Sequence, residues 1–476
     1  MTTVTLPDGP TTPGFVQGIE ILAGRTRAWR RLHQRYGSAF VVSMPRFGPT
    51  VVLSDPAEVK ALFTTHTDLV DNLDINLGQF LGPGSLFARR GEEHRKERKL
   101  LTPPFHGRRL AVYESLIEEE AVREMATWPS GREFATMDSM MRITLNVILR
   151  AVFGAEGAEF EQLRELIPKL VLIASALAAL PVPQGLFGRF GPWARFTAHR
   201  ASYDEIVGRL IRRAAADPHL SDRDDVLAML LQARYDDGSA MTQSEIADEL
   251  LTLLTAGHET TATSLAWTVE RLRRHPHLLT RLVKETDAGG SALREATLLE
   301  VQRVRPVIDA TARKVRVDDF RLGRWTLPRG QHVLVSIRLM HDNPELFTNP
   351  RDFDPDRFLD ARPGTFNWIP FGGGARRCIG AAFATMEMNV VLRVLLRDFT
   401  LAPTDAPDER THFRGVALAP AKKGRAVVYR RPPRPPLIDA ESGTAGTESG
   451  AGRAASGESP TVSGESQDVR GEQVTA

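Results

Sequence analysis

The feature that most constrains the fold is one very long helical pattern in the middle of the chain. Thr242 and Glu245 form a T-x-x-E capping box, and apolar residues recur at helical spacing from there to Arg274. A helix of these 33 residues would be about 50 Å long, enough to cross a whole domain. Its middle, TAGHETTATS (255–264), carries five hydroxyl side chains that compete for backbone hydrogen bonds. We therefore expect a local distortion near Gly257.

Helical patterns elsewhere are long and numerous, whereas strand patterns are short and few. The other helical stretches are residues 116–127, 142–153, 159–180 with a kink at Pro168, 195–215 and 381–397. The strand-like stretches are residues 39–44, 50–54, 332–337 and 426–430. These lengths predict a mainly α fold with a minor β-sheet formed by the ends of the chain.

The chain shows no internal division between residues 14 and 430, because no Pro-, Gly- or Ser-rich linker and no repeat interrupts it. We expect a flexible N-terminus over residues 1–13 and a single large domain over residues 14–430. Residues 431–476 are rich in Gly, Ser and Glu with almost no large apolar side chains. This composition predicts a disordered, acidic tail, because too little apolar surface is present to order it.

Composition and charge restrict where the protein can be located and what it can bind. Hydrophobic residues make up 42% of the 476 residues and charged residues 25%, as in ordinary globular proteins. The longest apolar run, residues 170–180, is too short to span a bilayer, and no secretory signal is present, so we expect a cytoplasmic protein without a membrane span. The net charge of +2 combines −5 over residues 438–476 with +7 elsewhere. This charge is too diffuse to indicate nucleic-acid binding.

The only cysteine of the chain lies in the glycine- and arginine-rich stretch FGGGARRCIG (371–380). Three glycines allow close backbone approach, and a helix beginning near Ala381 would place Cys378 at the positive end of a helix dipole. Arg376 and Arg377 add positive charge, which stabilises a thiolate. A lone thiolate does not support a zinc or iron–sulfur site, but it can be the protein ligand of a haem iron. The arginines would then bind the haem propionates.

The same stretch resembles the haem-binding loop of the cytochrome P-450 family of haem-thiolate monooxygenases. The family pattern F-x-x-G-x-R-x-C-x-G is matched by Phe371, Gly374, Arg376, Cys378 and Gly380. The resemblance implies a cytochrome P-450-like domain, haem b as cofactor and Cys378 as the iron ligand.

Further motifs appear in the order that this family shows. His94-x-x-x-Arg98 resembles its haem-propionate pair, and Arg313 resembles a further propionate-binding arginine. The sequence AGHETT, from Ala256 to Thr261, matches the central-helix pattern of the family, in which Ala256 belongs to the haem pocket. Glu300-x-x-Arg303 resembles the family's E-x-x-R motif, and Arg357 fits the downstream arginine that locks to this pair.

The resemblance implies insertion of one atom of dioxygen into a C–H bond or an alkene of a small apolar substrate. Glu259 and Thr260 are the catalytic residues it implies, and they would relay protons. Gly257 would open the central helix to admit oxygen beside the iron. The substrate pocket would be lined by residues 71–87, 170–190, 246–260 and 307–312.

No flavin or pyridine-nucleotide motif is present, so the resemblance implies two electrons from a ferredoxin- or flavodoxin-type donor. A basic patch suited to an acidic donor would comprise Arg95, Lys96, Lys99, Arg108, Arg109 and Arg377. Two alternatives remain open from the sequence. One is a haem-thiolate peroxygenase, isomerase or dehydratase that needs no external electrons, and the other is a non-catalytic haem sensor or carrier.

Overall fold

The computed structural model describes residues 4–45, 47–73, 77–154, 157–177, 191–414 and 417–432. The predicted tail beyond residue 432 lies outside these ranges, as do residues 74–76 and 178–190 of the predicted pocket segments. The bounds predicted for the N-terminus, the domain and the tail stay a prediction. Residues 4–13 nevertheless make main-chain contacts with the domain: Thr5 pairs with Thr326, and the Asp8 carbonyl accepts the Val41 N–H at 3.0 Å.

Helices dominate the described residues, as the sequence predicts. They are α1 (Gly14–Tyr36), α2 (Pro56–Thr64), α3 (Leu77–Leu81), α4 (Gly91–Leu101), α5 (Leu110–Met125), α6 (Thr136–Phe153), α7 (Ala158–Leu177), α8 (Gly191–Ala215), α9 (Val226–Gln232), α10 (Gln243–Leu272), α11 (Pro276–Asp287), α12 (Ala292–Val304), α13 (Ile337–His341) and α14 (Ala381–Asp398). Among these helices, none is long and apolar enough to cross a membrane.

The strands are short, as expected. They are β1 (Ala39–Met44), β2 (Gly48–Leu53), β3 (Val70–Asn72), β4 (Phe134–Ala135), β5 (Ala310–Val315), β6 (Phe320–Leu322), β7 (Trp325–Leu327), β8 (His332–Ser336), β9 (Phe399–Leu401), β10 (Thr411–Arg414), β11 (Ala417–Pro420), β12 (Arg425–Ala426) and β13 (Val428–Arg430). The largest sheet has the order β1-β2-β8-β5-β3. It therefore joins strands near the N-terminus with β5 and β8, which lie well inside the chain rather than at its end.

The predicted central helix is α10, and its capping box is confirmed. The Glu245 N–H donates to the Thr242 hydroxyl at 3.2 Å, and the Thr242 N–H donates to the Glu245 carboxylate at 2.9 Å. The predicted distortion is not seen as a break, because α10 is continuous through its middle. Its hydroxyl side chains bond to carbonyls one turn back, as Thr260 does to Ala256 at 2.9 Å, without displacing the helical ladder. A Cβ at Gly257 would lie 3.4 Å from Ile148, so this position packs against α6.

A buried ion cluster fixes α12 against the segment that follows α13. Arg303 donates to both carboxylate oxygens of Glu300 at 2.7 Å, and neither side chain has exposed surface. Arg357 lies 3.4 Å from the same carboxylate. The remaining Arg303 donors reach the carbonyls of three residues, which are His341, Pro350 and Asp352. The predicted meeting of Glu300, Arg303 and Arg357 is therefore confirmed.

Candidate functional site

The loop that carries Cys378 passes close to α2, and this path requires glycine at two positions. Gly372 and Gly374 have φ angles of +67° and +66°, in the left-handed region that favours glycine. A Cβ at Gly374 would lie 2.0 Å from the carbonyl oxygen of Phe63, which no side chain could tolerate. The Cys378 N–H donates to the Phe371 carbonyl at 3.0 Å and closes the loop. This backbone presents Cys378 just before α14.

Cys378 is exposed, so its sulfur is accessible to a ligand. Desolvation by the surrounding protein raises the pKa of the thiol, while the Gly380 N–H and the guanidinium groups of Arg377 and Arg98 lower it. The net direction is upward, which disfavours the thiolate form. A bound cation such as iron would supply the charge that stabilises it.

Three side chains that can donate hydrogen bonds lie beside this loop, and they come from two elements. His94 and Arg98 lie one turn apart on α4, and Arg313 lies on β5, where its guanidinium donates to the Gly373 carbonyl at 3.2 Å. Burial, together with the charges of Arg376, Arg98 and Arg313, lowers the pKa of His94 to about 3, so this imidazole is neutral. Burial and the nearby Arg376 lower the pKa of Arg313 to about 10, which still leaves it charged at neutral pH.

These residues fit the carboxylates of a haem. His94 is 2% exposed, and its buried Nδ1 has no hydrogen-bond partner among the described residues. Arg313 is 6% exposed, yet all its hydrogen bonds within the described chain go to neutral oxygens, those of Thr311, Ala312 and Gly373. Asp71 is the acid that acts on Arg313, but it is hydrogen-bonded to Arg376, and two propionates would add the negative charge that buried cations need. The donor set is therefore one that haem would satisfy.

Arg376 is held differently from the other predicted haem-binding residues. Its Nε and Nη2 donate to the Asp71 carboxylate at 3.0 and 2.8 Å, and Nη2 also donates to the Arg89 carbonyl at 2.9 Å. Despite its burial, the pKa of Asp71 is lowered, because it accepts the Gly91 N–H and lies against Arg376. Arg376 thus already has an anionic partner within the protein.

One face of the middle of α10 is accessible, although the helix on either side of it is buried. Residues 246–254 and 261–272 are buried, whereas Ala256 is exposed and Thr260 is half-buried. Ala256 and Thr260 are four residues apart and share one face of the helix. The hydroxyl proton of Thr260 is donated to the Ala256 carbonyl, so its oxygen remains free to accept a hydrogen bond from water.

Glu259 is buried and forms an ion pair with Arg414 of β10 at 2.9 Å. Burial raises the pKa of this carboxyl, and the Arg414 guanidinium opposes the rise. A carboxyl with a raised pKa holds a transferable proton closer to neutral pH than an exposed glutamate does. The proton-relay role of Glu259 stays a prediction.

The structure groups the predicted residues into two sets. His94, Arg98, Arg313 and Arg376 gather at the cysteine loop, whereas Ala256, Glu259 and Thr260 lie on α10, with no described contact to Cys378. The two sets are joined by the packing of α10 on α14, the helix that follows Cys378, where Thr261 lies beside the buried Glu387.

The sequence analysis missed two residues of this region, Arg414 and Glu387, and it placed Asp71 in the pocket segment 71–87 without its contact to Arg376. Only Glu387 carried a signal, as an acid inside the apolar stripe of residues 381–396.

The chain belongs to the cytochrome P450 family, because the model of that family matches residues 7–426. It is therefore an oxidoreductase of the haem monooxygenase class. Cytochrome P450 138 of Mycobacterium bovis is 50% identical over 428 residues, which cover 90% of this chain and 97% of that protein. Cytochrome P450 135B1 of the same organism is 38% identical over 430 residues, covering 88% of this chain and 90% of that protein.

Solved structures show the same fold. A retinoic-acid-bound cyanobacterial CYP120A1 matches with a TM-score of 0.78 and 24% identity, over 90% of this chain and all of that one. The haem domain of cytochrome P450DA matches with a TM-score of 0.79 and 23% identity, over 91% of this chain and 99% of that one. The predicted fold class is thereby confirmed.

Proposed function

We propose that this enzyme hydroxylates or epoxidises an apolar organic substrate, using haem b held by Cys378. One oxygen atom enters the product, and the other leaves as water after two electrons and two protons have been supplied. When bound through a thiolate, haem activates dioxygen, and electron donation from the sulfur favours O–O cleavage. The exposed face of α10 at Ala256 and Thr260 carries the proposal, because this helix packs on α14, the helix that follows Cys378. Cytoplasmic location stays a prediction.

The contacts between α10 and the loop after α3 support an apolar pocket. The Gly84 N–H donates to the Asp248 carboxylate at 2.9 Å, and the Thr252 hydroxyl donates to Ser85 at 2.7 Å. This anchoring leaves the aromatic ring of Phe87 exposed, close in sequence to the anchored loop. Two of the four predicted pocket segments are thus joined, and each carries an accessible apolar side chain, Phe87 in one and Ala256 in the other.

The proton-transfer role of Thr260 gives the first prediction. In the Thr260→Ala variant, product formed per NAD(P)H oxidised should fall by about tenfold or more, because the hydroxyl that accepts a hydrogen bond from water is lost. The measurement compares NAD(P)H consumption with product, using a reconstituted electron donor and a substrate found by screening for a spectral shift.

Two controls sharpen this comparison. Thr260→Ser keeps the hydroxyl and should keep the coupling. Thr268→Ala removes a buried hydroxyl that bonds one turn back on the same helix, and it should leave the ratio unchanged. Equal coupling in Thr260→Ala and wild type would remove Thr260 from the mechanism. Full turnover with peroxide and none with donor electrons would favour the peroxygenase alternative.

The face beside the cysteine loop suits an acidic electron donor. A groove of about 410 Å³ is lined by Arg95, Arg98, Lys99, Thr102, Pro103 and Ala375, next to the exposed Arg377. Two acidic side chains lie among these cations, since Glu92 pairs with Arg95 and Asp236 pairs with Lys99. The described basic residues still outnumber them, whereas the side chain of Arg108 lies outside the described part. We infer that a ferredoxin- or flavodoxin-type donor docks here.

Electrostatic docking predicts a salt-dependent rate of reduction. Lys99→Glu should slow reduction by an acidic ferredoxin about tenfold at low ionic strength, and the difference should shrink as salt is added. Lys422→Glu, at an exposed lysine before β12, is the matched control and should behave like wild type. A rate that is independent of salt in both variants would contradict electrostatic docking.

A further inference from the structure

Two buried glutamates lie where α4 approaches α10. Glu97 on α4 is 2% exposed, and Glu249 on α10 has no exposed surface. Glu97 directly precedes Arg98, one of the residues on α4 that fit the carboxylates of a haem. A buried acid is costly unless it is paired with a cation or remains neutral. The partners of the two side chains therefore decide which form each acid takes.

The hydrogen bonds of these two acids are incomplete within the described part of the chain. The Tyr235 hydroxyl donates to Oε2 of Glu97 at 2.8 Å, whereas Oε1 of Glu97 has no partner. Neither oxygen of Glu249 has a partner of ordinary geometry, although the Leu86 N–H lies near enough to act on this carboxyl. Three buried oxygens therefore lack a donor, and a proton on one of the acids would be such a donor.

The cation beside the two acids cannot neutralise both of them. Arg89 acts on both, but its Nη2 donates to Glu245 of α10, and its Nη1 lies 3.9 Å from the carboxylate of Glu93 of α4. This arginine is thus shared among four acids. Ionising both buried glutamates would leave at least one buried negative charge without a partner, which is strongly unfavourable.

The environment of Glu249 favours its protonated form. Burial raises the pKa of this carboxyl well above its ordinary value, and the charges of Glu97 and Asp248 act in the same direction. The charge of Arg89 opposes the rise, whereas Arg200 of α8 is paired with Asp248 itself. Glu249 is therefore the member of the pair that keeps a proton.

The other acid, Glu97, is more readily ionised. Burial raises the pKa of Glu97 and the charge of Glu245 adds to the rise, while the Tyr235 hydroxyl and Arg89 lower it. Glu97 has a hydroxyl donor that Glu249 lacks. A proton on Glu249 gives the pair one negative charge instead of two.

We propose that Glu97 and Glu249 are positioning residues, which share a proton and thereby hold α4 against α10. Loss of this proton would place two negative charges together in a buried site and push α4, with His94 and Arg98, away from the haem carboxylates. Haem is then held less firmly in alkaline solution than at neutral pH. The proposal rests on haem binding, as in the proposed function, but it requires neither the proposed substrate nor the proposed electron donor.

The test compares the melting temperature of the haem-loaded wild type and Glu249→Gln from about pH 5 to about pH 9. The amide has nearly the shape of the protonated acid but has no proton to lose. Because the pKa of Glu249 is raised in the folded protein, wild type loses stability as the pH rises from the ordinary value towards the raised one. Glu249→Gln should therefore melt about 3–6 °C higher than wild type in alkaline solution and at nearly the same temperature in acid.

A shared proton also predicts that the gains do not add. Glu97→Gln should raise the melting temperature in alkaline solution, but the double variant should gain no more than the better single variant, because the pair needs only one neutral member. Glu120→Gln is the matched control. Glu120 is equally buried but accepts hydrogen bonds from Arg150 and Asn146, so its replacement should lower the melting temperature at every pH.

A second readout connects the pair to haem binding by α4. Haem loss to excess apomyoglobin should become about tenfold faster in wild type between neutral and alkaline pH, since one proton contributes up to about tenfold per pH unit. The increase should be clearly smaller in Glu249→Gln. Other groups that titrate in this range affect both proteins equally. If Glu249→Gln does not fold, Glu97→Gln provides the same comparison.

Three results would overturn the proposal. Glu249→Gln that melts below wild type with an unchanged pH profile would exclude the shared proton, and so would additive gains in the double variant. The same pH dependence of haem loss in wild type and Glu249→Gln would exclude the effect on α4. Each of these results can occur in wild-type protein that holds haem, so the proposed function would stand. Wild-type protein that binds no haem would overturn the proposed function as well.

Discussion

The Arg303→Ala variant should lose about 3–5 kcal/mol of the free energy of unfolding. The substitution leaves the carboxylate of Glu300 buried without its main partner and removes the donors to three carbonyls. Removing one member of a buried ion pair costs about 3–5 kcal/mol, which is a large part of the 5–15 kcal/mol that typically stabilises a folded protein. Urea unfolding followed by circular dichroism measures the loss.

An exposed ion pair provides the matched comparison for this variant. Arg281 donates to Asp356 in two hydrogen bonds, but both side chains are half exposed. Arg281→Ala should therefore cost less than about 1 kcal/mol. Equal losses in the two variants would mean that the Glu300–Arg303 pair is not the structural cluster described above.

Gly374→Ala should prevent stable haem incorporation. The added Cβ would lie 2.0 Å from the Phe63 carbonyl oxygen, so the cysteine loop must move away from α2. The loop carries Cys378, and a shift of the ligand by an ångström or more weakens a metal site. The haem content per protein, measured as the ratio of Soret to protein absorbance, should fall to a small fraction of the wild-type value.

Gly372→Ala separates crowding from backbone strain. Its φ of +67° is almost the same as the +66° of Gly374, but a Cβ there would meet nothing within 4 Å. It should cost only the roughly 1–2 kcal/mol of a non-glycine residue in the left-handed region, and haem content should remain close to wild type. Similar haem loss in both variants would show that the need for a positive φ, and not the contact with Phe63, makes glycine necessary in this loop.

The sequence predicted the features that depend on local spacing. The capping box of α10 follows from Thr242 and Glu245, three residues apart, and the Glu300–Arg303 pair lies one helical turn apart. The cysteine loop and the start of α14 follow from glycines at fixed offsets around Cys378. In each case the interacting groups are close in sequence, so their meeting does not depend on the tertiary fold.

Contacts between distant segments were not predictable in this way. Asp71 meets Arg376 across 305 residues, and Arg414 of β10 meets Glu259 because its partner strand β11 packs on α10. Neither pair has a sequence signal, because its formation depends on how the sheet and the helices pack. The local distortion expected in α10 is not seen as a break, because the hydroxyl side chains bond to carbonyls one turn back and the helix stays continuous.

The central claim is that Cys378 binds haem iron as a thiolate, and one spectrum tests it most directly. The purified protein is reduced, exposed to carbon monoxide and compared with the Cys378→Ala variant. We expect a strongly red-shifted Soret band in wild type that is absent from the variant, because only thiolate ligation produces this shift. A band at the unshifted position in wild type, or the same band in both proteins, would contradict the assignment of Cys378 as the iron ligand.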